Sequence, residues 1–284
     1  MSEKYQSIIP PGHKFENILY DKTGYKATIT INREDKLNCV NLETIQELIT
    51  AFKDSAWDDN IAVVVLTGAG KRAFSSGADL QEQEEYFLGN PTDYYKWMAE
   101  FIALHELMRN LGKPTIARLN GLVVGGGNEL NISCDLAIAA DHVELGQVGA
   151  ARGSVAAAGA TQFMPLIVGD RRAREILFLC ERVTADKALE WGWINQVVPY
   201  DKLDEAVDIM AEKLYNKLPE CLRYTKQQLN FWRDLSWHTT IGHARDWLSM
   251  HNLSDEVKEG ILAFNEKRDI DYKKIRDGKG KKQS

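Results

Sequence analysis

Three short apolar runs constrain this chain more than any other feature. Ile61–Leu66 (IAVVVL), Pro114–Leu119 (PTIARL) and Leu136–Ala140 (LAIAA) are too short for buried helices and lack the alternation of a strand with one wet face. They read as strands covered on both faces. A helical pattern over Thr92–Leu111 separates the first two, and a helix starting near Gly126 separates the last two. Strands alternating with helices imply right-handed crossovers and a mostly parallel sheet. Upstream, Lys26–Asn32 (KATITIN) alternates like a half-buried strand. Asn41 then stands where it caps a helix carrying Ile45, Leu48, Ile49 and Phe52 on one face. From Asp170 the pattern is almost wholly helical: RRAREILFLC, TADKALEWG closed by Gly192, Asp201–Lys217, and several more helices after Glu220. The expected class is α/β, with a core over residues 1–200 and a helical region over 201–284.

The chain has 284 residues, 44% of them hydrophobic, with seven tryptophans, enough to bury a large core. A formal net charge of −6 argues against a nucleic-acid partner. The one basic run, Lys279, Lys281 and Lys282, reads as a solvated terminus. Cys39, Cys134, Cys180 and Cys221 lie far apart without metal-ligand spacing, as reduced thiols would. No metal constellation is expected. No apolar segment reaches the roughly 18 residues of a membrane span, and the first residues lack the apolar stretch of a signal peptide. The expected location is cytoplasmic, with no membrane partner.

The stretch VVGGGNELNISCDL (Val123–Leu136) follows a strand and opens a helix. Its glycines leave bare backbone where N–H groups and the positive helix end favour a negative oxygen. Glu129 falls in the first turn of that helix. A second glycine loop, Ser75–Leu80 (SSGADL), follows the buried run IAVVVL. Two such loops at the ends of neighbouring strands can aim two N–H donors at one point, which is an oxyanion hole.

At these residues the chain resembles the crotonase (enoyl-CoA hydratase/isomerase) superfamily, over roughly Tyr25 to Arg268. The markers are AFSSGADL, KPTIARLNGLVVGGGNELNISCDLAIAA, LGQVG, the AGATQ stretch, GDRRAREILFLCERVTADKALEWGWINQVVP and FNEKR, in this order. The resemblance implies a β-β-α spiral core, a helical C-terminus that forms trimers, and an acyl-CoA thioester substrate. It assigns the oxyanion-hole donors to the backbone N–H groups of Ala78 and Gly126, and it implies no cofactor beyond the CoA of the substrate. The family's first catalytic glutamate is present as Glu129. Its second acid position falls at Gly149, and the aspartate of the dihydroxynaphthoyl-CoA synthases and the ketocyclohexane-carboxyl-CoA ring hydrolases falls at Ala156. With both acids missing, a simple straight-chain hydratase becomes a poor match, since adding water across a double bond uses a positioned acid and base. The small-residue wall Gly149–Ala160 would leave room for a bulky acyl group. The context is most similar to the alicyclic-ring enzymes of anaerobic aromatic degradation, and in particular to 6-oxocyclohex-1-ene-1-carbonyl-CoA hydrolase. Implied CoA contacts run along Lys36, Leu37, Asn38, Ser76, Gly77, Asp79 and Leu80, with Gly125 and, from the last helix, Lys267.

A lone glutamate needs help with protons. Glu82 and Tyr86, in the loop after the oxyanion segment, are the candidates, whereas Glu84 and Glu85 read as a solvated helix start. His105, among Phe101, Ile102 and Met108, reads as a structural histidine. Phe231, Trp232, Trp237 and Trp247 are expected between subunits or over the acyl pocket, in a homotrimer or dimer of trimers. Two other functions stay open: a cyclic enoyl- or dienoyl-CoA hydratase that leaves the ring closed, and a non-catalytic RNA-binding protein of the same fold, which the acidity disfavours.

Overall fold

The computed structural model describes residues 5–278, so the basic tail at Lys279, Lys281 and Lys282 lies outside the described residues. Strands β1 (Ile18–Thr23) and β2 (Lys26–Ile31) form an antiparallel hairpin. Helix α1 (Leu42–Trp57) starts at Asn41, whose side chain accepts the Thr44 N–H at 2.9 Å, and it buries Ile45, Leu48 and Phe52. Three turns of a spiral follow, each made of two strands and a helix. The first has β3 (Val63–Gly68) and β4 (Ala73–Ser75), then α2 (Leu80–Glu82), a π-helical turn over Gln83–Phe87, and α3 (Pro91–Arg109). The second has β5 (Thr115–Leu119), β6 (Leu122–Val124) and α4 (Gly126–Ser133). The third has β7 (Leu136–Ala140), β8 (Glu144–Gly146) and α5 (Ala160–Ile167).

The first strand of each turn joins one sheet, ordered β1-β2-β3-β5-β7-β10, which is parallel from β2 onward. The second strand joins another sheet, ordered β4-β6-β8-β9. The single sheet read from hydrophobic patterning is thus corrected to two, as the spiral core requires. The glycine loops follow β4 and β6 of the second sheet, not the long buried strands β3 and β5. Three-residue strands carry too little periodicity to be seen in sequence.

The chain continues through α6 (Asp170–Leu179), β9 (Val183–Thr184), α7 (Ala185–Glu190), β10 (Gln196–Val198), α8 (Leu203–Tyr215), α9 (Pro219–His251), α10 (Asp255–Asn265) and α11 (Tyr272–Gly278). The further helices read after Glu220 are α9, α10 and α11, the first a single helix of 33 residues. Helix α8 packs on β3, β5 and β7, and α9 packs on α3 and α5. No helix among the described residues is long and apolar enough to cross a membrane.

A buried ion pair pins α9 to α3. Arg109 Nε and Nη2 donate to the Asp234 carboxylate at 3.2–3.3 Å, with both side chains nearly inaccessible (0% and 4%), while the guanidinium lies 4.0 Å from the Trp237 ring centroid. Burial exceeds solvation here, so removing one partner strands the other. Asp234→Ala is expected to lower stability by about 3–5 kcal/mol, measured by chemical denaturation.

Candidate active site

Parallel pairing of β4 with β6 sets the two glycine loops side by side. The loop after β4 is held from outside by residues 37–40. Ser76 N donates to Leu37 O at 3.0 Å, Val40 N donates to Gly77 O at 2.8 Å, and Asp79 N donates to Val40 O at 3.0 Å. That ladder uses Gly77 and Asp79 and passes over Ala78, whose N–H is left out of it. Leu37 and Asn38 both adopt left-handed backbone (φ 54° and 53°), and Asn38 Nδ2 anchors this bend by donating to Ala69 O and Ala73 O. Side chains other than glycine in that region carry strain. Asp79 caps α2, accepts from Arg33 Nη2 at 2.8 Å and lies 3.7 Å from Lys36 Nζ. The Arg33 and Lys36 charges hold its carboxyl below the usual range against the opposing effect of burial. Asp79 therefore fixes the loop that carries Ala78.

The second loop supplies the first turn of α4. Asn128 N and Glu129 N both donate to Gly125 O, whereas the Gly126 N–H has no residue one turn earlier to meet. The two loops approach so closely that a Cβ on Gly77 (φ +94°) would fall 2.7 Å from Gly126 N. A Cβ on Gly127 would fall 2.1 Å from Ser75 O. Only bare backbone fits at either point. A Cβ placed on Gly126 would stand 3.6 Å from Ala78 N and 3.1 Å from Phe101 Cζ, so both free amides border one spot under the Phe101 ring.

This spot opens into a cavity of about 590 Å³. Lys36, Leu37, Ser76, Ala78, Asp79 and Leu80 line it on one side; Gly125, Gly126, Glu129, Gly149, Ala156 and Lys267 complete it. Gly77 shapes the turn without lining the space. Lys36, Arg72 and Lys267 bring positive charge to the wall, suited to phosphates. Beyond the amides the wall turns apolar, with Met98, Phe101, Leu248, Val257 and Ile261.

Glu129 is buried in this wall, and its Oε1 accepts the Ala158 N–H at 2.9 Å, with a further backbone donor from Ala160. Burial outweighs those donors and pushes its carboxyl up to about 8. The competition between helix end and desolvation is thereby settled in favour of desolvation. Tyr94, a residue the sequence did not single out, lines the same cavity and stacks on Trp97; burial and then the Glu129 charge push its phenol upward, which keeps it protonated. The signal lay in the spacing of Tyr94, Trp97, Met98 and Phe101, one stripe of α3 facing α4.

Two candidates move out of the site. The Glu82 carboxylate accepts from Leu42 N at 3.0 and 3.1 Å and from Trp97 Nε1 at 3.2 Å, so it ties α1 to α3. Tyr86 is 58% exposed and pairs with Glu85, because the π-helical turn swings it outward. Glu84 accepts from Asn265 Nδ2 on α10. At Gly149 an added Cβ would meet Ser154 O at 3.1 Å, so the space expected from the missing acid is partly filled by the backbone of residues 154–156. His105 is buried, with Nδ1 2.7 Å from Phe101 O, and desolvation drives its imidazole down to about 3. Among the C-terminal aromatics, Trp237 is buried against Phe163 and Arg109, Trp247 stacks on His251, and Phe231 and Trp232 are 75% and 70% exposed. No group of three or more potential metal ligands occurs among the described residues.

Folding raises the Glu129 pKa, so its neutral form contributes stability that is fully present below its ordinary value of 4.5 and is lost as pH rises through about 8. Glu129→Gln is expected to remove that slope. Its Tm relative to wild type will rise as pH goes from 4.5 to about 8 and level off above that, in thermal melts.

The chain matches the enoyl-CoA hydratase/isomerase family over residues 24–276. Among solved structures, an enoyl-CoA hydratase from Mycobacterium avium subsp. paratuberculosis K-10 is similar at 25% identity, with a TM-score of 0.82 over 91% of this chain and 99% of that one. An enoyl-CoA hydratase from Bacillus anthracis is 32% identical, with a TM-score of 0.74 over 91% and 99%. An enoyl-CoA hydratase/isomerase from Xanthobacter autotrophicus Py2 is 27% identical, with a TM-score of 0.82 over 89% and 94%. With its spiral of paired strands and its two converging glycine loops, this chain belongs to the enoyl-CoA hydratase/isomerase family, in the crotonase superfamily.

Proposed function

We propose that the protein is an acyl-CoA enzyme that adds water to an alicyclic oxo-ring thioester and then opens the ring, as 6-oxocyclohex-1-ene-1-carbonyl-CoA hydrolase does. The observation that carries this reading is one buried carboxyl, Glu129, beside two unpaired amides, where Gly149 and Ala156 supply no second acid. The thioester oxygen sits between Ala78 N and Gly126 N. Attack of water at the conjugated carbon pushes electrons onto that oxygen, and the enolate so formed is held by the two donors. Each such donor is commonly worth about 3–4 kcal/mol in the transition state. Glu129, in its ionised form, takes the proton from water, and its acid form returns a proton to the carbon next to the thioester. In the second stage water, giving its proton to Glu129, attacks the ring ketone, the ring C–C bond breaks, and the acid form of Glu129 then protonates the carbon released next to the thioester. The electron pair leaves on the carbon next to the thioester, so the same enolate oxygen and the same two amides serve again. Tyr94, as a neutral phenol, is placed to donate to oxygen developing away from the amides.

The positive wall at Lys36, Arg72 and Lys267 suits the phosphates of CoA. No group beyond the substrate's own CoA is needed for these steps. Exposed Leu229, Phe231, Trp232 and Leu235 on α9 support assembly as a homotrimer or dimer of trimers.

Mass spectrometry of the product distinguishes the steps: ring opening adds two waters, simple hydration one. A product of one added water that keeps its ketone overturns the ring-opening step and leaves the cyclic hydratase reading. Glu129→Gln is expected to lower turnover by about 10²-fold or more and to abolish a rate limb near pH 8. Gly77→Ala, whose Cβ would intrude 2.7 Å from Gly126 N, is expected to lower kcat by about 10²-fold or more. Near-full rates in either variant would sink the assignment.

A further inference from the structure

The cavity wall holds a polar group that none of the chemistry above uses. Gln83 opens the π-helical turn, is 4% exposed and lines the cavity, yet its Nε2 is sealed from solvent and meets no acceptor among the described residues. Buried carboxamides are almost always hydrogen-bonded, and leaving one unpaired is costly. Two other buried polar side chains that line the cavity, Glu129 and Asn252, each already take a backbone N–H. Glu129 accepts from Ala158 N, and Asn252 Oδ1 accepts the Gly89 N–H at 2.9 Å. The turn that carries Gln83 packs on α3 and α10, and the cavity it shares with them has an apolar wall that includes Trp97, Met98, Leu248 and Ile261. An all-hydrocarbon acyl chain in that space would leave the amide unpaired in the complex as well.

We propose that Gln83 is a specificity-determining residue that donates to an oxygen substituent, a ketone or hydroxyl, on the acyl group. The assignment rests on the acyl-thioester reading above and says which residue recognises the oxygenated substrate. No protein hydrogen bond holds Nε2, so rotation about the terminal torsion of the side chain turns it toward the cavity at little cost. π-Helical turns recur at functional sites, and this one sets Gln83 inward while Tyr86 points out. A site built to hydrogen-bond an oxygen rejects the analogue that lacks it far more strongly than an apolar pocket rejects an added group.

The test uses the full chain carrying Glu129→Gln, so that bound thioesters are not consumed, with and without Gln83→Met. Calorimetric titration compares cyclohex-1-ene-1-carbonyl-CoA with 6-oxocyclohex-1-ene-1-carbonyl-CoA. With Gln83 present, the oxo compound is expected to bind about 10-fold or more tighter. In Gln83→Met that preference falls to within about 3-fold, the deoxy compound binds as well as before, and Tm does not fall, because an unpaired amide has been replaced by a thioether of similar size. Gln83→Leu repeats the comparison should the methionine variant fail to fold. Equal weakening of both thioesters, or a preference that survives loss of the amide, overturns the role of Gln83 and leaves the acyl-CoA reading standing. Binding of neither thioester by the protein that retains Gln83 overturns the acyl-CoA reading, and the Gln83 assignment with it.

Discussion

The pairing of β4 with β6 is the constraint on which the site depends. Each is a strand of three residues, and on its own neither would persist in water. Their neighbours in the longer sheet, β3 and β5, are fully or largely buried and lock the spiral pitch. That pitch brings the Gly77 loop onto the first turn of α4, at a spacing that tolerates no side chain on Gly77 or Gly127. Two amides are left without backbone partners because the ladders beside them close on other atoms. A reactive oxygen is then the natural acceptor for both.

The same burial that assembles the hole governs its proton chemistry. Glu129 sits at the start of a helix, where a carboxylate is ordinarily favoured, and it accepts two backbone N–H groups. Even so, desolvation dominates and leaves a carboxyl near 8, a value from which it can both take and give a proton near neutral pH. Asp79, the residue next to Ala78, shows the opposite outcome. Paired with Arg33 and Lys36, it stays ionised and serves as a brace. In the proposed reaction, two acids in one cavity are thereby sorted into a chemical and an architectural task by their surroundings.

Much of this was legible in the residues. β7 spans the residues of the LAIAA run, α1 starts at the expected cap, and α4 begins at the expected glycine, because strong local patterns fix those elements. The second sheet was not legible by period, since three-residue strands have none. The two glycine loops stood out because glycine-rich turns mark close approach, and the family resemblance picked out Ala78, Gly126 and Glu129 within and beside them. Tyr86 misled because its orientation depends on a π-helical turn, and Glu82 because its carboxylate is taken up by Leu42 N and Trp97 Nε1, partners far from it in sequence. Gln83 at the start of the turn lies inside, Tyr86 lies outside, and Tyr94 of the next helix lines the cavity. Whether Glu129 would be depressed or raised depended on the depth of the wall around it, which is a property of packing.

The length of α9 carries a consequence of its own. At about 1.5 Å per residue its 33 residues form a strut of about 50 Å, fastened near its middle where Asp234 meets Arg109. Leu248, fourteen residues further on, forms part of the cavity wall. The fastening therefore acts as a fulcrum some 20 Å from the acyl group, and a tilt of about three degrees there moves the wall by about 1 Å. Misplacement on that scale can slow a reaction by about two orders of magnitude. In the proposed reaction the acyl wall is thus levered from this distant fastening, and side chains that never approach the thioester hold a share in its reactivity.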